Sequence, residues 1–200
     1  NAFRLTLHED ALDLPLKWKQ HKKIFVDSMS DLFHKGVPFE FIDRVWEVMN
    51  KADWHIYQIL TKRPERMEAY IKSRNILSPP HIWLGTSVED TRVKFRIDIL
   101  RNIPAKIRFV SFEPLIGDIG KVDLSDVHWA IVGGESGKNY RPIKEEWIQN
   151  ILRQCKEQNV AFFFKQWGGL KPNSGGRLLN SQTYDEYPNQ EVNVIAVYSA

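Results

Sequence analysis

Residues 55–61 read HIYQILT and residues 62–71 read KRPERMEAYI. The first run is strand-sized and rich in Ile, Tyr and Leu. The second opens a helix at Pro64, which suits a first turn, and carries Met67, Tyr70 and Ile71 at helical spacing. Lys62-Arg63 forms the corner between them. Strand, polar corner and amphipathic helix make one βα unit, and the order recurs along the chain. Further strand-like runs lie at 23–28 (KIFVDS), 82–87 (IWLGTS), 106–111 (KIRFVS), 127–133 (VHWAIVG) and 160–165 (VAFFFK). Several are apolar almost without interruption, as parallel strands covered on both faces are.

Helices separate most of these runs. Residues 38–50 put Phe41, Ile42, Val45, Trp46 and Met49 on one stripe, with Pro38 in the first turn. A third helix is capped by Asp90 or Thr91, runs through Val93, Ile97 and Leu100, and stops before Pro104. A fourth, at 144–158, aligns Trp147, Ile148, Ile151, Leu152 and Cys155, which makes the single cysteine a core residue and not a nucleophile. Residues 114–126 are Gly-punctuated and predict a loop or a single turn.

Alternating strands and helices predict parallel βαβ units with right-handed crossovers. The expected class is α/β, a TIM-barrel-like parallel (β/α) partial barrel of about six strands. A full barrel has eight strands in roughly 250 residues, so the first βα unit is expected to be missing. An open, doubly wound sheet is the competing arrangement. The barrel is expected over residues 1–167. Residues 168–200 form a loop and tail packed on the same domain, with an edge strand at 192–198.

Composition narrows the function classes. The chain has 200 residues, 42% hydrophobic and 26% charged, which are globular values. No run approaches the roughly 18 apolar residues of a membrane span. A lone cysteine excludes an intramolecular disulfide, and no basic-then-apolar leader is present, so a cytoplasmic location is expected. The net charge of +3 suits an anionic ligand and is too small to assign nucleic acid, which stays open. The chain opens on Asn1 and not Met, so a piece of a longer polypeptide is expected.

Chemistry-bearing residues gather where the strand runs end. The six ends read Asp27-Ser28-Met29-Ser30-Asp31, Thr61-Lys62-Arg63, Ser87-Val88-Glu89-Asp90, Ser111-Phe112-Glu113-Pro114, Gly133-Gly134-Glu135-Ser136-Gly137 and Lys165-Gln166-Trp167-Gly168-Gly169. The amino ends carry routine Lys, His and Asn. In a parallel sheet the carboxyl ends share one rim, and that rim holds the site. The glycine pair could bring backbone amides close to a ligand but lacks the spacing of the dinucleotide fingerprint. Asp27, Asp31 and His34 have metal-ligand chemistry without a partner spacing, and no metal site is expected. Trp167 reads as a packed rim residue before a stacking platform.

Six segments in this order, IFVDSMSDLFH, YQILTKRPERM, IWLGTSVED, RFVSFEPLIG, IVGGESG and FFFKQWGG, resemble the phage-associated protein family of unknown function named after phage gene products thirty-seven and sixty-eight. The resemblance runs from about residue 3 to residue 188. Family members carry an upstream three-cysteine segment that resembles the cluster loop of radical S-adenosylmethionine enzymes, which are partial (β/α) barrels. The resemblance therefore implies S-adenosylmethionine and a [4Fe–4S] cluster in the full-length protein, and a phage or prophage enzyme of unknown substrate. The three cysteines are absent here, so no cluster is expected in this chain alone, and the fragment alone is expected to be inactive. By the same resemblance, Ser87 and Glu89 would face the cofactor ribose. Gly133, Gly134 and Glu135 would admit its adenine or methionine end, and Asp27, Ser28 and Asp31 would take its ammonium. Lys62, Arg63 and Lys165 would suit an anionic substrate, with Glu113, Lys62 and Lys165 as the candidate catalytic groups. The substrate class implied is an unknown small molecule, nucleotide-related included.

Two rivals remain. A barrel hydrolase would use two of Glu89, Glu113 and Glu135 as a carboxylate pair roughly 5–10 Å apart. A non-enzymatic binding module would need a continuous basic face, whereas the basic residues are spread along the chain.

Overall fold

The structure is a computed structural model that describes residues 5–26, 30–171 and 174–188. Six strands form one sheet: β1 (Lys23–Val26), β2 (Ile56–Thr61), β3 (Ile82–Ser87), β4 (Arg108–Phe112), β5 (Trp129–Gly133) and β6 (Ala161–Gln166). All neighbours are parallel, and their order in the sheet is their order in the chain. The sheet curls into a half-barrel with the helices interleaved. The helices are α1 (Leu14–Lys17), α2 (Phe39–Lys51), α3 (Pro64–Ser73), α4 (Arg96–Arg101) and α5 (Glu145–Glu157). The expected parallel partial barrel is thus observed, and the doubly wound alternative is not. Among the described residues, no helix is long and apolar enough to cross a membrane.

Strand alternation builds two cores. Tyr57, Ile59, Ile82, Leu84, Val110, Phe112, Ala130, Val132, Phe162 and Phe164 face the helices and join Ile42, Met67, Ile97 and Ile151 in the larger one. The alternate positions, Ile56, Trp83, Phe109, Trp129 and Ile131, form a second cluster on the concave face, and no residue of the five helices belongs to it. Burial from both sides explains why β3 and β5 are buried at every position. Gly85 of β3 is a consequence of this inner packing. The Phe109 ring lies across it, and a Cβ there would come within 2.5 Å of the ring.

The helix starts follow local chemistry, with two departures. Pro38 sits at the N-cap of α2 with extended backbone, one position before the expected first turn. The single helix expected from Asp90 onward is split. The Asp90 carboxylate accepts from Arg92 N–H at 2.9 Å and caps a 3₁₀ turn, Thr91–Val93, and α4 starts only at Arg96. Residues 114–126 contain no helix or strand, as expected. Beyond β6 the chain returns antiparallel along that strand, with Phe164 N–H donating to Tyr184 O at 3.0 Å, and Leu179 and Tyr184 enter the larger core. The strand expected at 192–198 lies outside the described residues.

Candidate functional site

Parallel strands curled in one direction turn their inward side chains toward one another, so the concave face concentrates whatever the alternate positions carry. Toward the amino ends it is aromatic. Trp129 is the hub, with ring centroids of Trp83, Phe109, Phe163 and Tyr187 at 5.7, 5.8, 5.9 and 5.0 Å. The indole N–H groups point elsewhere: Trp83 donates to Pro80 O and Trp129 to Glu186 O. Toward the carboxyl ends the lining turns polar. A cleft of about 340 Å³ opens there, lined by Phe25, Gln58, Leu60, Ser111, Glu113 and Lys165 above Trp129 and Phe163.

Two ion pairs stand at the carboxyl ends of the strands, and the Glu113–Lys165 pair lines this cleft. Lys62 Nζ lies 2.6 Å from Glu89 Oε1, and Arg96 approaches Glu89 Oε2 at 3.1 Å while also donating to Ser87 O. Lys165 Nζ lies 3.0 Å from Glu113 Oε2. Glu89 and Glu113 are mostly buried, whereas both lysines are about half exposed. The Glu113 side chain passes over Gly133, where a Cβ would come within 3.1 Å of its carboxyl carbon. Below the mouth, Gln58, Ser87 and Ser111 are buried polar residues, and Ser87 and Ser111 are register partners on β3 and β4. Among the described residues, none of these three side chains has a hydrogen-bond partner.

Other residues singled out from sequence sit in local frameworks. Asp31 accepts four hydrogen bonds, from Phe33 N–H and Thr61 Oγ1 on one oxygen and from Lys62 N–H and Arg63 Nη1 on the other. That fills the acceptor sites of a carboxylate and ties the β1–α2 loop to the end of β2. Glu135 is held by Arg141 through two side-chain bonds and one from its backbone N–H. The guanidinium holds the Glu135 carboxyl far below the usual range, at about 2. Gly134 meets the chain itself: a Cβ there would lie 2.0 Å from Trp167 O, and Gly134 N–H donates to Gln166 O. The space at the glycine pair is therefore taken by Trp167 and Glu113. Trp167 packs on Phe164 and donates to Leu178 O, the packed rim role expected of it. Asp27 and Ser28 lie outside the described residues.

A match to the family described as protein of unknown function (DUF5131) covers residues 1–188. The chain belongs to that family. No curated protein and no solved structure matches it. In this DUF5131 chain, Cys155 is fully buried on the core stripe of α5, and burial pushes its thiol up to about 12. Among the described residues, no group of three or more His, Cys, Asp or Glu side chains could hold a metal ion.

Sequence reading missed Gln58, Ser111 and Arg96 as site residues. Gln58 had a usable signal, a lone amide inside an otherwise apolar strand run. Ser111 stood among the strand-end hydroxyls without being singled out, and Arg96 is brought to Glu89 only by the split before α4.

Proposed function

We propose that this chain is the ligand-binding half-barrel of an enzyme that uses S-adenosylmethionine at the concave mouth. The observation that carries the reading is the Glu113–Lys165 ion pair lining a mainly apolar cleft, with a second pair, Glu89–Lys62, at the carboxyl ends of the neighbouring strands β3 and β2. Such a mouth offers both signs of charge at a low-dielectric entrance. A ligand bearing a sulfonium, an ammonium and a carboxylate can exchange partners with each pair without leaving a charge unmatched. Glu113 and Glu89 would face the cationic groups and Lys165 or Lys62 the carboxylate, while Ser87 beside Glu89 suits the ribose hydroxyls. When bound, S-adenosylmethionine supplies a sulfonium with activated carbon–sulfur bonds.

The residues of this chain do not fit an iron–sulfur cluster. A cluster takes several thiolates, and the one cysteine is buried with its thiol held protonated. In the hydrolase reading Glu135, held at about 2 by Arg141, would serve as base or nucleophile and not as the acid.

The test is calorimetric titration of the protein and of Glu113→Gln and Lys165→Met with S-adenosylmethionine. Binding weakened about tenfold or more in each variant is expected, the loss of one charge-assisted hydrogen bond. No binding to the parent protein, or binding indifferent to both substitutions, would overturn the proposal.

A further inference from the structure

Below the charged mouth the cleft is mainly apolar, with Lys23 at its amino end over the Tyr187 ring. Gln58 is 9% exposed and Ser111 3%, and both line the cleft with no hydrogen-bond partner among the described residues. Ser87, also 3% exposed, stands beside Ser111 in register and is likewise unpartnered. None of their polar atoms is among the fully buried unpartnered ones, so they open onto accessible space, where a ligand or water can pair with them. Around these groups the walls are flat rings and aliphatic chains: Phe25, Leu60, Trp129, Ile131 and Phe163.

We infer that the substrate carries an uncharged planar heterocycle, as a nucleoside does, and that this ring enters beneath the ion pairs to hydrogen-bond Gln58 and Ser111. The inference rests on the concave mouth being the ligand site and adds what the second ligand is. A cationic head would meet Lys23 at this depth, and an anionic head would have to draw Lys23 off the Tyr187 ring and away from Gln58 and Ser111. An aliphatic head would leave the amide and hydroxyls unpaired. A nucleobase fits both demands: its faces pack on aromatic rings, and its edge presents an adjacent donor and acceptor, the pattern a glutamine amide reads. The sugar would then lie level with Ser87 and the rim, where Lys62 and Lys165 could meet an attached phosphate.

The experiment titrates the whole chain with adenosine, guanosine, cytidine and uridine, with ribose 5-phosphate as the base-free control and S-adenosylmethionine as competitor. At least one nucleoside is expected to bind while ribose 5-phosphate does not. Gln58→Leu should weaken that binding about tenfold or more and Ser111→Ala several-fold. Gln58→Leu should leave the melting temperature of the ligand-free protein within about 4 °C of the parent, since the amide makes no side-chain hydrogen bond among the described residues, whereas loss of a structural glutamine would lower it further. Unchanged nucleoside affinity in Gln58→Leu would overturn the inference. So would one-for-one displacement of the nucleoside by S-adenosylmethionine, since the ring subsite would then be the cofactor's own. Glu113-dependent binding of S-adenosylmethionine without any nucleoside binding would overturn it and leave the proposed function standing. If neither class binds, both fall together.

Discussion

Glu113 reaches Lys165 across an intervening strand: the carboxylate follows β4, the ammonium rises from β6, and they meet at 3.0 Å over Gly133 of β5. A side chain at Gly133 would stand in the path of the carboxylate, at 3.1 Å from its carbon and from Oε1. The glycine thus serves the rim, and its absence of a side chain is what lets strands that are not neighbours share a charge pair.

Gly133→Ala is therefore expected to separate binding from folding. Gly133 is not among the positive-φ glycines, so alanine suits its backbone, and the neighbouring carboxylate must give by a few tenths of an ångström. The melting temperature should fall by no more than about 4 °C, the scale of roughly 1 kcal/mol in a chain of this size. Affinity for S-adenosylmethionine should drop several-fold. A large loss of stability with unchanged affinity would contradict this reading of the glycine.

The next glycine predicts the opposite. At Gly134 a Cβ would lie 2.0 Å from Trp167 O, a backbone atom that cannot rotate away, and the same segment carries the Gly134-to-Gln166 hydrogen bond. Gly134→Ala should cost about 3 kcal/mol or more by forcing the ends of β5 and β6 apart. Denaturant unfolding measures this, and a change under about 1 kcal/mol would show that the two segments yield more easily than their packing implies.

Much of this was legible in the sequence, and the reasons are particular. Strands buried on both faces leave long apolar runs, so 55–61 and 82–87 stand out, and Pro64 marks the start of α3 at the residue observed. Parallel pairing follows from the alternation, and with it the shared rim. That rim glutamates could meet Lys62, Arg63 or Lys165 was legible, but the pairing was not. Which carboxylate meets which lysine depends on the curl of the sheet and on a crossing over β5, neither of which has a local pattern. The tight packing at Gly134 was not legible for the same reason: close approach by a ligand and by the chain's own backbone leave the same glycine in the sequence.

Acid should selectively loosen the Glu135–Arg141 clasp. Its carboxyl lies at about 2, below its ordinary value of 4.5, with the Arg141 hydrogen bonds as the largest cause. A depressed folded-state value adds stability above the unfolded value and loses it as pH falls toward the folded one. The melting temperature of the parent should exceed that of Arg141→Met above pH about 5, and the two should converge as pH approaches about 2. A constant difference across that range would contradict the assignment.

Cys155 should be silent in the native protein. It is fully buried, and its thiol is pushed up to about 12. A thiol-specific chromogenic disulfide reagent at pH about 8 should react only after denaturant is added. Reconstitution of this chain with iron and sulfide should leave it colourless near roughly 400 nm, where iron–sulfur proteins absorb. Rapid native labelling, or a stoichiometric brown product, would contradict the placement of this residue.

The most direct test of the concave mouth as the ligand site is a map of where binding protects the backbone. Hydrogen–deuterium exchange with and without saturating S-adenosylmethionine distinguishes the two ends of the half-barrel. Slowed exchange is predicted in the segments that end β2, β3, β4 and β6, around Lys62, Glu89, Glu113 and Lys165. Protection confined to the opposite end, at the surface cavity formed by His128, Lys156, Asn159 and Glu186, would contradict it.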